Sequence, residues 1–222
     1  TTEIYTLSLH DALPILSDEP GFDRQDSTYF SLKSHWQLDN MDVEVLLNQA
    51  DSDLDYGYDE DWSYTGIHPW GYTSTDHYLR ERETSSAEIR LLSNESSKIF
   101  GNSTDWVIGL YYLGSDENLH RQYTYLVTDF YSDYEFETIA VFTQLDTALN
   151  DSWTLSTGVR VEQRDTEYGD SEAVRFSPDD TLWGGKLALE YLVNDNTLAY
   201  GSVSRSSEEH TSELQSHLNL VC

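Results

Sequence analysis

The run Glu137–Asp165, ETIAVFTQLDTALNDSWTLSTGVRVEQRD, constrains this chain more than any other stretch. Two alternating arms flank a small polar turn, Asn150-Asp151-Ser152. On the first arm Ile139, Val141, Leu145 and Leu149 share one parity. Ala140, Gln144 and Asp146 share the other, with Phe142 an apolar exception among them. On the second arm Trp153, Leu155, Val159 and Val161 alternate with Thr154, Ser156, Gly158, Arg160, Glu162 and Arg164. Period two across a short turn predicts an antiparallel hairpin. Each arm of roughly 13 residues spans about 43 Å at ~3.3 Å per residue, whereas globular strands usually run only ~5–6 residues. Strands this long, apolar on one face and charged on the other, suit a membrane barrel with a wet interior.

The two ends read differently from the middle. Residues 1–15, TTEIYTLSLHDALPI, resemble the translation of a widely used short-read sequencing adapter. EEHTSELQSH, Glu208–His217, resembles the opposite adapter, and Leu218–Cys222 reads as its continuation into index sequence. Residues 1–15 and 206–222 are therefore set apart as adapter-like, and 16–205 is the natural segment, a fragment truncated on both sides. The sole cysteine, Cys222, falls in the adapter-like tail, so the natural segment has none. That fits a periplasm-facing or secreted protein.

The chain carries 12 basic and 41 acidic residues, a net charge of −29. The ends hold five of the acids and no Lys or Arg, leaving −24 on 16–205. Nucleic-acid binding needs a basic footprint and is disfavoured. No run of 18 apolar residues predicts a transmembrane helix. A barrel escapes that hydropathy test, because half its residues face water. An acidic, aromatic-rich composition also describes secreted glycan-binding β-domains.

About eight strands and no helix are predicted: Thr28–Leu38, Met41–Leu54, Glu83–Leu92, Thr104–Leu113, the two arms of the hairpin, Leu182–Val193 and Thr197–Arg205. Long polar segments are expected at 55–82, 114–133 and 166–181, and a medium one at 93–103. The remaining connections are tight turns such as Asp39-Asn40 and Asn194-Asp195-Asn196. The order short, long, medium, long, short, long, short segregates length by parity, as outer-membrane barrels do with periplasmic turns and extracellular loops. The long segments are thus assigned to the extracellular face. Trp153 and Trp183, with Tyr111, Tyr112 and Tyr134, are candidates for interfacial aromatic girdles.

The order of motifs then resembles a family. Glu88-Ile-Arg90-Leu91-Leu-Ser93 is similar to the E-x-R-L-x-S strand of TonB-dependent outer-membrane receptors, and Trp106-Val-Ile-Gly109-Leu-Tyr111-Tyr112 to the W-x-x-G-x-Y-Y strand that follows it. The segment Ala140–Asp146 followed by Leu155-Ser-Thr-Gly158-Val-Arg160 resembles the next hairpin. Gly185–Tyr191 and Ala199–Arg205 resemble the pair after that. The resemblance covers about Tyr29–Arg205. It implies an all-β antiparallel transmembrane barrel of ~22 strands, plugged by a globular domain, of which this chain supplies about eight. It also implies an outer-membrane location and active import of a scarce ligand energised by TonB through the plug. Plug and TonB box are absent from this sequence. Family ligands include ferric siderophores, haem, cobalamin and oligosaccharides, with an iron complex the common case. No enzymatic activity and no cofactor is expected.

Other chemistry finds little footing. His35, His68, His77 and His120 show no metal-ligand spacing. Asp51, Asp53 and Asp55, followed by Asp59-Glu60-Asp61, suggest calcium. Counted from Asp51, however, the glycine slot of the calcium loop holds Tyr56 and the distal glutamate slot Trp62, so a solvated acidic loop is the expectation. No nucleophile elbow appears, and Gly184-Gly185 and Gly101-Asn102 read as bends. Arg160, Glu162 and Arg164 share the polar parity. A charge facing lipid costs about 2–4 kcal/mol at midplane, so these three are predicted to face the lumen. There they contact substrate or plug, or form a structural network between strands. The rival readings are a secreted glycan-binding β-domain, with short strands and apolar interiors, and a smaller porin-like barrel. An open eight-strand piece has two unpaired edges, so 16–205 alone is expected to aggregate or stay unfolded in buffer.

Overall fold

A computed structural model describes residues 17–67, 70–205 and 217–221. Ten strands form one antiparallel sheet: β1 (Phe22–Gln37), β2 (Asp42–Asp59), β3 (Thr75–Leu92), β4 (Thr104–Tyr123), β5 (Phe130–Asn150), β6 (Trp153–Asp170), β7 (Arg175–Phe176), β8 (Asp179–Asn194), β9 (Thr197–Arg205) and β10 (His217–Val221). They pair in chain order, except that two-residue β7 lies beside β6 off the main path. The sheet is a meander that does not close. The predicted strands are all present, extended by β7 and by β10. The latter pairs with the otherwise free edge of β9. Edge pairing is made by backbone groups, so it asks little of the side chains.

The expected long loops need correction. Residues 114–133 and 166–181 are mostly strand, and so is nearly half of 55–82: β2 runs to Asp59, β3 starts at Thr75, and β4 and β5 continue to Tyr123 and from Phe130. The connections at that end shrink to 60–74, 124–129 and 171–178, and the shortest of these is smaller than 93–103 at the opposite end. The ladders continue past the point where apolar alternation stops, because pairing of backbone N–H and C=O needs no apolar face. β1 to β6 and β8 run 16 to 21 residues, which excludes the short strands of the soluble glycan-binding reading. Gly184 and Gly185, read as a bend, lie inside β8. Gly101 and Asn102 do form a bend, both with φ of 72°.

Cross-strand register fixes which residues share a face. Val45, Ile89, Leu110, Val141, Val161 and Trp183 are successive partners across β2, β3, β4, β5, β6 and β8. The apolar stripe is oblique. On β2 it ends at Val43, near the turn, whereas on β8 it continues through Leu187 and Leu189 to Tyr191. Oblique apolar bands are what strands tilted against a barrel axis present. The only buried hydrophobic side chains among the described residues are Ala140 and Ala188, while Leu110, Ile139, Val141 and Leu187 are each more than half exposed. A sheet with an apolar face and no apolar core has its hydrophobic surface turned outward, toward something other than itself. At the tight-turn end Trp153 stacks on Tyr191 with centroids 4.4 Å apart, which suits an aromatic girdle.

Candidate functional site

The opposite face carries the chemistry. Here Lys33, Glu44, Glu88 and Arg90 from β1 to β3 lie beside Tyr111, Phe142, Arg160 and Lys186 from β4, β5, β6 and β8. Phe142, the one apolar exception on its parity, is explained by Gly109 directly opposite. Its ring covers the glycine, and a Cβ at 109 would collide with it. Gly158, Gly184 and Gly185 leave further backbone uncovered beside this ring. Together they open a cavity of about 630 Å3 rimmed by Arg90, Arg160 and Lys186. Four of the chain's 12 basic residues line this cavity, against one acid, Glu88.

The predicted trio Arg160, Glu162 and Arg164 lies on this inward face, and the structure does not draw it together as one cluster. Arg160 Nε donates to Glu162 Oε2 at 2.7 Å, and its guanidinium lies 5.0 Å from the Tyr111 ring. Arg164 belongs to a separate group. Its Nη2 donates to Tyr134 Oη at 3.3 Å, and it covers the Phe136 ring at 4.7 Å. Tyr134 thus serves the inward face rather than a girdle. Arg90 pairs with Glu88 and lies 3.9 Å from Glu44. Lys186 has no ion-pair partner among the described residues.

Beyond the apolar band, the inward face holds a node absent from the sequence reading. Asp76 is 1% exposed. Arg121 reaches it with two hydrogen bonds, Nε to Oδ1 at 2.9 Å and Nη2 to Oδ2 at 2.6 Å, and Tyr78 Oη donates to Oδ2 at 3.0 Å. Tyr58 Oη adds a longer contact at 3.4 Å. Burial disfavours the Asp76 carboxylate, but the bonds from Arg121 and Tyr78 outweigh it and hold the pKa below its ordinary value. Burial, reinforced by the adjacent carboxylate, pushes Tyr78 up to about 12. Nothing in the sequence pairs Asp76 with Arg121. Only the register that sets Tyr78 opposite Arg121 brings them together.

On the outward face at the same end, carboxylates stand directly opposite one another across five strands: Asp51, Glu83, Asp116, Glu135 and Glu167. Glu135 is pushed up in pKa, first by Asp116, then by partial burial and by Glu167 and Glu137. Asp51, Asp53 and Asp55 therefore belong to a strand and not to a solvated loop. His77, expected in a loop, is in β3 and bonds Asp55 at 2.5 Å. His120 bonds Asp129 at 2.7 Å, and His35 lies 3.4 Å from Glu44. His68 falls outside the described residues. No group of three His, Cys, Asp or Glu side chains among the described residues is placed to hold a metal.

Comparison with known proteins follows the same line. Residues 6–216 match the family described as TonB dependent receptor-like, beta-barrel. No curated protein matches significantly. Among solved structures, the ferric yersiniabactin uptake receptor FyuA from Yersinia pestis superposes with a TM-score of 0.67 at 16% identity, over 82% of this chain and 28% of that one. The ferric citrate transporter FecA gives 0.64 at 14%, over 82% and 27%. The siderophore receptor PiuA from Acinetobacter baumannii gives 0.66 at 14%, over 85% and 33%. The chain spans about a third of the length of these receptors. A family match over nearly the whole chain, on a sheet with an apolar outer and an ionic inner face, gives the identification: this chain belongs to the TonB-dependent receptor β-barrel family.

Proposed function

We propose that the chain is a section of the wall of an outer-membrane transporter that imports a scarce ligand, with energy delivered by TonB through a plug domain. The observation that carries this is the two-faced sheet. Val45, Ile89, Leu110, Val141 and Val161 form one continuous outward stripe, while Arg90, Arg160 and Lys186 stand together on the other side. An apolar stripe of this kind is stable against acyl chains, and the ionic face is stable against an aqueous bore. The cargo in this reading is a ferric siderophore or another iron complex. Its support is the fold shared with receptors named for ferric yersiniabactin and ferric citrate, together with an inward cavity that is basic in an acidic chain. Arg160 is the wall residue assigned to contact with ligand or plug. Glu162 holds Arg160 in place, and Arg164 braces Tyr134 and Phe136.

We further assign 16–205 to the receptor and 1–15 and 206–222 to appended adapter sequence. The uninterrupted genomic reading frame tests this directly. It is expected to contain a plug-coding region upstream, further barrel strands, and neither adapter-like stretch. That full-length receptor, expressed in an iron-starved host lacking its own siderophore receptors, is expected to support uptake of at least one radiolabelled ferric siderophore only when TonB is present. R160A combined with K186A is expected to reduce uptake without reducing the amount of receptor in the membrane. TonB-independent uptake, or no uptake across a panel of catecholate, hydroxamate and carboxylate chelates, would overturn the iron reading.

A further inference from the structure

The last residue of β2 and the start of its connection to β3 read Asp59-Glu60-Asp61-Trp62-Ser63. Its first, third and fifth residues bear side-chain oxygens. Asp59 Oδ1 accepts the Trp62 N–H at 3.2 Å, and Asp61 Oδ1 accepts the Ser63 N–H at 2.9 Å. These bonds occupy one oxygen of each carboxylate. The remaining atoms, Asp59 Oδ2, Asp61 Oδ2 and Ser63 Oγ, are shielded from solvent and have no hydrogen-bond partner among the described residues. Asp59 is only 4% exposed and Ser63 only 8%. An unsatisfied buried polar atom costs about 1–3 kcal/mol, and more when it is charged. Three of them within five residues are a concentrated cost that a shared occupant would relieve.

The neighbouring acids are already engaged. Glu60 Oε2 accepts from Ser74 Oγ at 2.6 Å. Asp18 accepts from Thr65 N–H at 3.3 Å and from Thr73 Oγ1 at 3.1 Å. A cavity of about 400 Å3 opens beside the loop; Asp18, Tyr58, Asp59 and Trp62 line it, while Asp61 and Ser63 do not. A single water molecule can donate to both carboxylates and accept from Ser63 Oγ, but it leaves the two negative charges uncompensated. A hard cation satisfies all three oxygens and the charge together.

We propose that Asp59 Oδ2, Asp61 Oδ2 and Ser63 Oγ bind a calcium ion. Their spacing matches the first, third and fifth ligand positions of the calcium loop. The sixth position is Tyr64 instead of glycine and the twelfth is Trp70 instead of glutamate, so the loop is not an EF-hand. The turn is made by Trp62, at φ 51°. Calcium takes six to eight oxygens in flexible geometry, so backbone carbonyls and water complete the shell. Magnesium demands a near-ideal octahedron that two carboxylates and a hydroxyl do not supply. With only two carboxylates, the affinity falls in the weak extracellular class, roughly 0.1–1 mM.

Calorimetric titration of the full-length receptor in detergent micelles with calcium chloride tests the site independently of transport. One saturable event in that range is expected, with D59N and D61N each weakening it at least tenfold, S63A weakening it about threefold, and D53N on the outward face of β2 leaving it unchanged. An absence of saturable binding up to 10 mM calcium, or binding retained by the D59N/D61N double variant, would refute the proposal. If the variants fail to assemble, proteolysis of the wild type decides: 1 mM calcium should slow cleavage within 60–74 at least fivefold while equal magnesium does not, and equal rates refute it.

Discussion

Both faces of the sheet carry charge beyond the apolar band, and they handle it in opposite ways. On the inward face Asp76 is buried and matched by Arg121 through two hydrogen bonds, and Glu117 meets Arg80 and Arg82. On the outward face Asp51, Glu83, Asp116, Glu135 and Glu167 confront one another across five strands with no cation interposed. Like charges directly opposite in a sheet are destabilising. The inward face tolerates charge by pairing it. The outward face tolerates it by leaving it wet, where screening keeps the repulsion small. The same strands therefore have a boundary on one side only: outward, apolar gives way to acidic, whereas inward the polar character runs the whole length.

That asymmetry is most easily broken in the apolar band. V141R places a charge on the outward stripe and is expected to destabilise the barrel by about 2–4 kcal/mol, whereas Q144R on the inward parity is expected to change it by less than about 0.5 kcal/mol. Urea unfolding of the full-length receptor in lipid vesicles measures both, and equal effects would mean that the faces are misassigned. The next largest effect is expected from D76N. Removing one member of a buried pair costs about 3–5 kcal/mol. Arg121 keeps 35% side-chain exposure, so about 2–3 kcal/mol is expected, with hydrogen-exchange protection lost first in the outer halves of β2, β3 and β4.

The smallest effect sharpens the contrast by pH and salt. The Asp76 carboxylate has a lowered folded pKa. Its contribution is present above the unfolded value, about 4, and is lost as pH falls through the folded one. Glu135 has a raised folded pKa, so its sign is reversed: stability is highest below the unfolded value and declines as pH rises through the folded one. Lowering pH toward the ordinary glutamate value should thus relieve Glu135 before the inward node is lost. E135Q is expected to stabilise the receptor by a few tenths of a kcal/mol at low ionic strength and neutral pH. The gain should vanish at 0.5 M salt, as read from urea midpoints.

Sequence made the membrane-level half of this molecule legible and left the outer half obscure. Val141 and Val159 alternate with Gln144 and Arg160 because one side meets lipid, and that alternation is written in the residues themselves. Above the band both faces meet water, so alternation disappears and Thr75–Arg82, although paired strand, reads like a loop. Phe142 looked like an error in the pattern until the register set Gly109 opposite. Arg160, Glu162 and Arg164 are legible as a set because they alternate along one strand. Arg90 and Lys186, which complete the cavity rim with Arg160, are far apart in the chain, as are Asp76 and Arg121. Their association depends on cross-strand register, which no local pattern specifies. The orphan oxygens of Asp59, Asp61 and Ser63 carry no sequence signal, because the burial of single side-chain atoms depends on how the loop folds back on itself.

The short hairpin between β4 and β5 carries a mechanical corollary. Residues 124–129 join two strands that stay paired to their outer ends, and six residues extend at most about 20 Å. A rim so tightly tethered is a stiff lip, unable to drape across an opening tens of ångströms wide. Segment 171–178 is tethered too, since Arg175–Phe176 pairs with β6, so on this arc only 60–74 has the length to reach inward, and cross-linking 124–129 to its own strands should leave cargo uptake by the full-length receptor unchanged.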